Sequence, residues 1–377
     1  MVGLRAPWGV EGGVESAVAE LAPRLVRAGC EVTVYCRGRY NPYGSGFVEG
    51  VRLVDVPTTY SRSLEAFVHS AIAAPRAALR HDVVHLHACG PAMMAPLPRA
   101  LGRRVVVTVH GKDWTRDKWG PVAKAVLRAG VGVAGRSASA LMAVSRELRD
   151  YLASRYDVPV HFVPNGVAPH EPVAWDPGLF PSLRPGGYVL FVGRLVPEKD
   201  VLTLVRAAAR TRLPVVITGG AAYTDAYVAQ LRREAPANVL FTGPRFGDEK
   251  AMLLTHARAF ALPSRVEGLP IALLEAMAAG LPTLVSDIGP NREALAHCGG
   301  WRLPTGDVAR WGAALEEVAA ADLAILRGIG AQGAWRVRER YGWDNVVRET
   351  LGVYQTATAA GVEREAARAQ AYGPYTR

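Results

Sequence analysis

The chain has 377 residues, half of them hydrophobic, and this length suits two domains with separate cores better than one. Its formal net charge of +10 favours an acidic partner, but the sequence has no zinc-finger spacing, basic helix or interleaved basic and aromatic residues, which argues against nucleic acid. Neither a membrane-spanning apolar run nor a signal-peptide pattern is found, so we expect a cytoplasmic protein.

The N-terminal half alternates short apolar runs with amphipathic stretches, the pattern of a parallel sheet with crossover helices. Strands are predicted over Val2–Arg5, Glu31–Tyr35, Val51–Val56, Val83–His87, Arg104–His110, Ala140–Val144 and His161–Val163. Helices are predicted over Glu15–Ala28, Ser63–Leu79, Lys118–Val131 and Arg146–Tyr156. We therefore predict a Rossmann-like domain over residues 1–168.

A segment rich in Pro and Gly follows, and we predict a linker over residues 169–187. A second alternating series then predicts the strands Tyr188–Val192, Pro214–Thr218, Val239–Thr242, Ala259–Pro263 and Thr283–Ser286. The predicted helices are Asp200–Thr211, Thr224–Ala235, Asp248–His256, Pro270–Ala279, Arg292–Ala296, Val308–Ala319 and Asp322–Arg340. This series predicts a second Rossmann-like domain over residues 188–343, a closing helix over 344–360 and a polar tail over 361–377.

The run from Ser264 to Gly280 carries the strongest chemical signal. It follows a predicted strand, so its loop lies at the carboxyl edge of a parallel sheet, where ligands bind. Gly268 allows close approach of a ligand, and the amides around Gly268 and Leu269, ahead of a helix, form an anion site. Glu267 on the loop is placed to reach sugar hydroxyls. Glu275, one turn into the helix, is placed to accept hydrogen bonds from a ribose diol.

A second pattern, Gly193 to Asp200, also follows a predicted strand. A guanidinium at Arg194 and an ammonium at Lys199 together suit a pyrophosphate whose outer phosphate must leave. Lysine is rare in this arginine-rich chain, which draws attention to each lysine that remains. Gly219, after another strand, allows close approach of the same ligand.

The spacing of Glu267 and Glu275 in this setting resembles the E-x7-E motif of glycosyltransferase family 4, and the resemblance extends over nearly the whole chain. It implies a GT-B fold, an α/β architecture of two Rossmann-like domains whose parallel sheets face a central cleft, with a C-terminal helix crossing back to the N-domain. It also implies that Gly12 and Gly13 lie beside the donor phosphates, that His110 approaches the donor sugar, and that Arg245 and Phe246 lie at the nucleobase.

The resemblance implies a retaining transferase that moves a glycosyl group from a nucleoside diphosphate sugar to a hydroxyl acceptor on a polysaccharide, glycolipid or secondary metabolite. Glu267, His110, Arg194 and Lys199 are the predicted catalytic residues. No metal or other cofactor is expected, since the sequence lacks a DxD motif and its cations can balance the diphosphate. His85 and His87 also end a strand, and we interpret them as structural or acceptor-side residues.

Other functions fit the same scaffold. A nucleotide-sugar epimerase or hydrolase, or a non-catalytic nucleotide-sugar-binding protein, remains an alternative, whereas a dehydrogenase is disfavoured because no GxGxxG follows a strand. The predicted helix Ser63–Leu79 sets Arg76 and the adjacent Arg80 beside apolar residues. This pattern allows peripheral contact with an anionic membrane at its inner face, although a solvated helix face is the favoured explanation.

Overall fold

The computed structural model describes residues 1–10, 12–59, 61, 64–116, 119–221 and 225–371, with side chains up to residue 358. Glu11, Ser63, Lys118 and Thr224, which belong to the predicted loop and helices, lie outside the described residues. The strands are β1 (Thr33–Arg37), β2 (Gly46–Val48), β3 (Val51–Val56), β4 (Val83–His87), β5 (Arg104–Val109), β6 (Ala140–Ala143), β7 (Val160–Phe162), β8 (Val189–Val192), β9 (Val215–Thr218), β10 (Val239–Gly243), β11 (Ala259–Leu262), β12 (Thr283–Ser286) and β13 (Trp301–Leu303).

The helices are α1 (Gly13–Arg27), α2 (Glu65–Ala78), α3 (Pro96–Ala100), α4 (Pro121–Ser137), α5 (Arg146–Ala153), α6 (Val201–Ala207), α7 (Asp225–Glu234), α8 (Gly247–His256), α9 (Ile271–Ala278), α10 (Gly289–Ala294), α11 (Val308–Ala320), α12 (Leu323–Tyr341) and α13 (Trp343–Ala371). The chain divides into two compact units. Unit 1 comprises Met1–Asn165 with Trp343–Arg377, and unit 2 comprises Gly166–Gly342.

Unit 1 contains a parallel sheet with the order β4-β5-β6-β7 and a smaller sheet with the order β1-β3-β2, in which β2 is antiparallel to β3. The first residues of the chain lie between these sheets. The Met1 carbonyl accepts a hydrogen bond from the Tyr35 amide at 3.0 Å, and Val2 forms a single parallel bridge with Leu86. The predicted strand Val2–Arg5 is wrong as a regular strand, because Gly3 has a φ of 116° and ends the extended run after one bridge.

The C-terminal helix α13 belongs to unit 1, where it packs on α1 and β5. Trp343, Val346 and Val353 on α13 join Val18 of α1 in the same hydrophobic core. The helix ends at Ala371, well beyond the predicted boundary at 360. Its last turns are rich in Ala, Glu and Arg, which are strong helix formers, and they continue the helix where an amphipathic pattern is no longer visible.

Unit 2 contains a parallel sheet with the order β10-β9-β8-β11-β12-β13. From its first strand, β8, this sheet runs in one direction to β10 and in the other to β13, so the strand order reverses between β8 and β11. The short edge strand β13 was not predicted, because three residues are too few to show an alternating pattern.

The predicted linker packs against unit 2 through specific contacts. The Val173 carbonyl lies 2.9 Å from His256 Nε2, and the Gly186 amide donates to the His256 carbonyl at 2.8 Å. The Trp175 ring packs on Tyr188, with centroids 6.2 Å apart. His256 of α8 and Tyr188, just before β8, hold this segment in place, rather than a hydrogen-bond ladder of its own.

Candidate functional site

The predicted residues of unit 2 lie at the ends of four strands that are neighbours in the sheet. Phe246 follows β10, Gly219 follows β9, Lys199 follows β8 and Glu267 follows β11. Because the strands are parallel, their carboxyl ends lie at one edge of the sheet. The point where the strand order reverses lies between the loops that carry Lys199 and Glu267, the usual place for a ligand in such a sheet.

Lys199 and Glu267 form an ion pair across this point. Lys199 Nζ lies 2.5 Å from Glu267 Oε1, and both side chains are largely buried. The same two loops are joined by Arg265, whose guanidinium pairs with Asp200 at 3.0 Å and whose amide donates to the Glu198 carbonyl. An ammonium carries three donors, so Lys199 can hold Glu267 and still present N–H groups to an anion.

Arg194 and Gly219 lie next to this pair along the sheet edge. Arg194 is half-buried, and no carboxylate within the described part of the chain pairs with its guanidinium. Gly219 has a φ of 154°, and a Cβ at this position would lie 1.8 Å from the carbonyl oxygen of Gly193. Only glycine fits this packing, so Gly219 keeps the ends of β8 and β9 in close contact.

Glu275 and Lys250 form a second pair, between α9 and α8. Lys250 Nζ lies 2.7 Å from Glu275 Oε1, and each side chain keeps about a quarter of its surface exposed. Glu275 was predicted from the sequence, whereas Lys250 was not. The signal that could have found Lys250 is the scarcity of lysine, since Lys112, Lys199 and Lys250 each form an ion pair with a glutamate.

Phe246 and Arg245 precede α8 at the end of β10. Phe246 is 59% exposed, an unusual environment for a phenylalanine and one that leaves its ring face open for stacking. Arg245 is held by Glu249 at 2.9 Å and by the Thr242 carbonyl, and its guanidinium lies over the Phe180 ring. The side chain of Arg245 is therefore already fixed without a ligand.

Gly268 and Leu269 are buried at the start of α9. The helix begins at Ile271 with Pro270 as its N-cap, and the Pro270 carbonyl accepts from the amides of Leu273 and Leu274. That these amides bind an anion stays a prediction.

In unit 1, three histidines lie together at the ends of β4 and β5. His87 Nδ1 is 3.2 Å from His110 Nε2, and the His85 and His87 rings are stacked with centroids 4.1 Å apart. His85 is held by the Tyr354 hydroxyl at 2.7 Å and by the Thr108 hydroxyl at 2.6 Å. Because Tyr354 lies on α13, the C-terminal helix anchors the ring that supports this cluster.

Burial keeps these histidines neutral. Desolvation lowers the pKa of His85 and of His87 well below the ordinary value, and it lowers the pKa of His110 to about 4 although the residue as a whole keeps some solvent exposure. Charges on Asp113 and Glu15 oppose the shift at His110 but do not reverse it. His110 therefore presents a neutral imidazole at physiological pH.

A small cavity of about 30 Å³ adjoins the histidines, and its lining includes His87, Thr108, His110, Asn165, Trp343 and Thr350. This volume holds about two water molecules. His87 is almost fully buried, and its Nε2 has no hydrogen-bond partner within the described residues.

A partly buried ion pair lies beside the glycine loop of unit 1. Arg5 Nε lies 3.0 Å from Glu15 Oε1, and a Cβ at Gly12 would meet the Glu15 carboxylate. Gly12 is the N-cap of α1, and Gly13 is its first residue, with no atom within 4 Å of an added Cβ. An added Cβ at position 12 would therefore displace the Glu15 carboxylate, whereas position 13 has open space.

The described residues offer neither a metal site nor a membrane span. No group of three or more His, Cys, Asp or Glu among them is arranged to hold a metal ion. None of the helices in the described ranges combines the length and the apolar character that crossing a bilayer requires.

Comparison with known proteins matches both units. Residues 11–171 match the family model described as Glycosyltransferase Family 4, and residues 184–323 match the model Glycosyl transferases group 1. The GDP-mannose-dependent alpha-(1-6)-phosphatidylinositol monomannoside mannosyltransferase of Mycobacterium tuberculosis is 30% identical over 376 residues, covering 89% of this chain and 92% of the relative.

A shorter match is the uncharacterized glycosyltransferase MJ1607 of Methanocaldococcus jannaschii, 30% identical over 237 residues, which covers 58% of this chain and 60% of that relative. Among solved structures, Anabaena Alr3699/HepE in complex with UDP-glucose has a TM-score of 0.74 at 17% identity, covering 93% of this chain and 97% of that chain. This likeness shows two parallel-sheet α/β domains of the GT-B fold and confirms the predicted fold class.

Proposed function

The chain belongs to the family 4 and group 1 glycosyltransferases, and from this premise we propose that it is a retaining enzyme that transfers a glycosyl group from a nucleoside diphosphate sugar to a hydroxyl acceptor. Membership makes the chain a transferase of sugar groups. The retaining outcome and the class of donor are the proposed part.

One observation carries the proposal: the Lys199–Glu267 pair at the reversal point of the unit 2 sheet. It places an ammonium and a carboxylate side by side, with the guanidinium of Arg194, which pairs with no carboxylate among the described residues, on the same loop as Lys199. Cations suit the diphosphate of the donor, and a carboxylate suits the hydroxyl groups of its sugar. A site for an anion alone would not need the carboxylate, and a site for a polyol alone would not need the cations.

The proposed reaction proceeds on one face of the sugar. The bond between the anomeric carbon and the diphosphate oxygen breaks, and the acceptor oxygen forms its bond to the same face. The acceptor proton passes to the departing phosphate oxygen, so the products are the glycoside and the nucleoside diphosphate. Arg194 and Lys199 stabilise the charge on the leaving group, and Glu267 orients the sugar.

His110 acts in this proposal as a neutral group. Because burial lowers its pKa to about 4, the imidazole adds no positive charge next to the electron-poor sugar of the transition state. The lone pair or dipole of the ring stabilises the positive charge that develops there. His87, 3.2 Å away, holds the ring in one orientation.

Unit 2 also offers groups for the nucleoside. Glu275 is suited to a ribose diol, and the exposed ring of Phe246 is suited to stacking on a base. The bound UDP-glucose in the Anabaena protein supports the class of donor, and the mycobacterial relative is named for GDP-mannose. Uracil and guanine are therefore the first bases to test.

The proposed acceptor is a hydroxyl group on a polysaccharide, a glycolipid or a secondary metabolite. The name of the mycobacterial relative, which includes a phosphatidylinositol mannoside, supports glycolipids among these. The proposal needs no metal ion, because two cationic side chains serve the diphosphate.

The test begins with the full chain and a panel of UDP-, GDP-, TDP- and ADP-sugars in a thermal-shift assay, followed by calorimetric titration of the nucleotide that stabilises it. Lys199→Met is expected to weaken binding by about 10- to 100-fold, the value of one charge-assisted contact. Arg302→Gln, an exposed cation on β13, is the matched control and is expected to bind as the wild type does.

Product analysis then separates the alternatives. NMR of the product of a donor and a simple alkyl-glycoside acceptor is expected to show the anomeric configuration of the donor. An inverted product would overturn the retaining assignment. A changed donor without any acceptor would indicate an epimerase or hydrolase, and an unchanged donor with every acceptor would indicate a binding protein.

A further inference from the structure

Asp200 and Arg265 form a bidentate ion pair beside the proposed catalytic pair. Arg265 Nη2 donates to Asp200 Oδ1, and Arg265 Nε lies beside Asp200 Oδ2, each at 3.0 Å. Only 5% of the Asp200 side chain is exposed, and the Thr203 hydroxyl donates to its Oδ2 at 2.9 Å. Exposed ion pairs usually contribute little, but a two-bond contact between a guanidinium and a buried, further bonded carboxylate has a fixed geometry.

This pair joins the same two loops as Lys199 and Glu267 do. Asp200 directly follows Lys199 in the chain, and Arg265 lies two residues before Glu267. The backbone adds a further link, since the Arg265 amide donates to the Glu198 carbonyl at 2.9 Å. Because each of its members lies within two residues of a proposed catalytic side chain, the Asp200–Arg265 pair limits how far the loops after β8 and β11 can separate.

The backbone at Asp200 is in an uncommon conformation. Its φ of 48° and ψ of 36° are left-handed, and the residue separates the short 3-10 turn Pro197–Lys199 from α6. Glycine would make the same turn without strain, but it has no carboxylate to offer Arg265. Backbone strain of this kind persists where surrounding contacts enforce it, and it is concentrated at functional sites.

We propose that Asp200 and Arg265 are positioning residues of the donor site, whose ion pair holds Lys199 and Glu267 at the separation that the donor requires. This inference rests on the proposed function and adds to it the contact that sets the geometry of the site. A diphosphate that draws the Lys199 ammonium towards itself loosens the contact of that ammonium with Glu267. The Asp200–Arg265 pair uses no group of the donor, so it keeps the two loops together throughout the reaction.

The first test is calorimetric titration of the full chain with each of UDP, GDP, TDP and ADP. Arg265→Ala is expected to weaken the diphosphate that binds the wild type by about 3- to 10-fold, because the Lys199 ammonium is no longer held in place. In a Lys199→Met background the same substitution is expected to change the affinity by less than about twofold. A purely structural role would weaken binding by the same factor in both backgrounds.

The second test measures turnover of the sugar donor. Arg265→Ala is expected to lower kcat about 10- to 100-fold, a larger change than in diphosphate affinity, because small displacements of Glu267 reduce the rate steeply. In a Glu267→Gln background it is expected to lower kcat by less than about threefold, since a positioning residue has no effect once the group it positions is gone. Initial rates over a range of donor concentrations separate kcat from KM.

Conservative variants and a control accompany both tests. Asp200→Asn tolerates the left-handed backbone and keeps one acceptor for Arg265, so it is expected to lower kcat only about 3- to 10-fold. Arg265→Lys keeps a positive charge beside the buried carboxylate, which supports folding, and its single contact is expected to restore only part of kcat. Arg206→Ala is the control, because Arg206 has similar exposure, 49% against 58%, and pairs with Glu234 near the end of α6, towards the opposite edge of the sheet. It is expected to retain the wild-type affinity and kcat.

Two results would overturn the positioning role alone, with the proposed function intact. These are wild-type affinity and kcat in Arg265→Ala, and equal losses with and without Lys199 or Glu267. A wild type that binds none of the four diphosphates would overturn the proposed function, and this inference with it. If the wild type binds a diphosphate but transfers no sugar, the proposed function fails, and the binding titrations in the Lys199→Met background still decide whether Arg265 positions Lys199.

Discussion

The ion pair between Lys199 and Glu267 supports a double-variant cycle. Their atoms lie 2.5 Å apart, and only 16% and 9% of the two side chains is exposed. Removing one member leaves the other charge poorly solvated. Lys199→Met should therefore destabilise the chain by about 2 kcal/mol, within the range for hydrogen bonds to charged groups and below that for fully buried pairs.

Glu267→Gln is expected to cost less than Lys199→Met, because the amide oxygen still accepts from the ammonium. The double variant should be more stable than the two single effects predict, with a coupling free energy of about 1–2 kcal/mol. For a domain of this size, 1 kcal/mol shifts the melting temperature by about 2–4 °C, which scanning calorimetry of the full chain resolves.

The same variants separate the roles of the two side chains in ligand binding. Lys199→Met should weaken UDP, or whichever diphosphate binds the wild type, by about 10- to 100-fold. Glu267→Gln should leave the affinity for the diphosphate within about threefold and lower kcat with the sugar donor about 100-fold or more. Calorimetric titration and initial rates measure both. Equal loss of diphosphate affinity in the two variants, or a coupling free energy near zero, would refute the reasoning.

Three further variants test other parts of the site. Lys250→Met should weaken a ribonucleotide about 3- to 10-fold and its 2′-deoxy analogue less, because Glu275 loses its fixed position; Lys250→Arg should restore binding in the same titration. Since burial lowers the pKa of His110 to about 4, the pH profile of kcat/KM should show no ionisation of this residue between pH 6 and 8. A change of slope in that profile near pH 6.5 that disappears in His110→Asn would contradict this. That lowered pKa also means that the unfolded chain takes up the proton first, so stability falls between pH 6.5 and 4, and denaturant titrations should show a shallower fall in His110→Asn. Gly219→Ala should cost 3 kcal/mol or more by calorimetry or prevent folding, while Gly220→Ala, whose added Cβ has no atom nearer than 3.8 Å, should change stability by less than about 1 kcal/mol.

Much of the candidate site follows from local pattern. Glu267 and Lys199 were predicted as site residues because each follows an apolar run that predicts a strand. In the structure each lies on a loop at the carboxyl edge of the sheet. Their pairing was not predicted, since the two residues are 68 positions apart and meet only because β8 and β11 are neighbours. Lys250 was missed for the same reason, because its partner Glu275 lies on another helix.

The sequence by itself determined the alternation of strands and helices, the loops that carry the charged residues, and the net positive charge. These properties depend on neighbours within a few positions of the chain, which propensity and periodicity report directly. The tertiary structure alone decided which strand ends adjoin, that Gly3 ends the first extended segment, and that α2 turns Glu65 inward towards Arg37 and Phe67 outward. Those outcomes depend on contacts between residues far apart in the chain, and such contacts exist only once the sheets have formed.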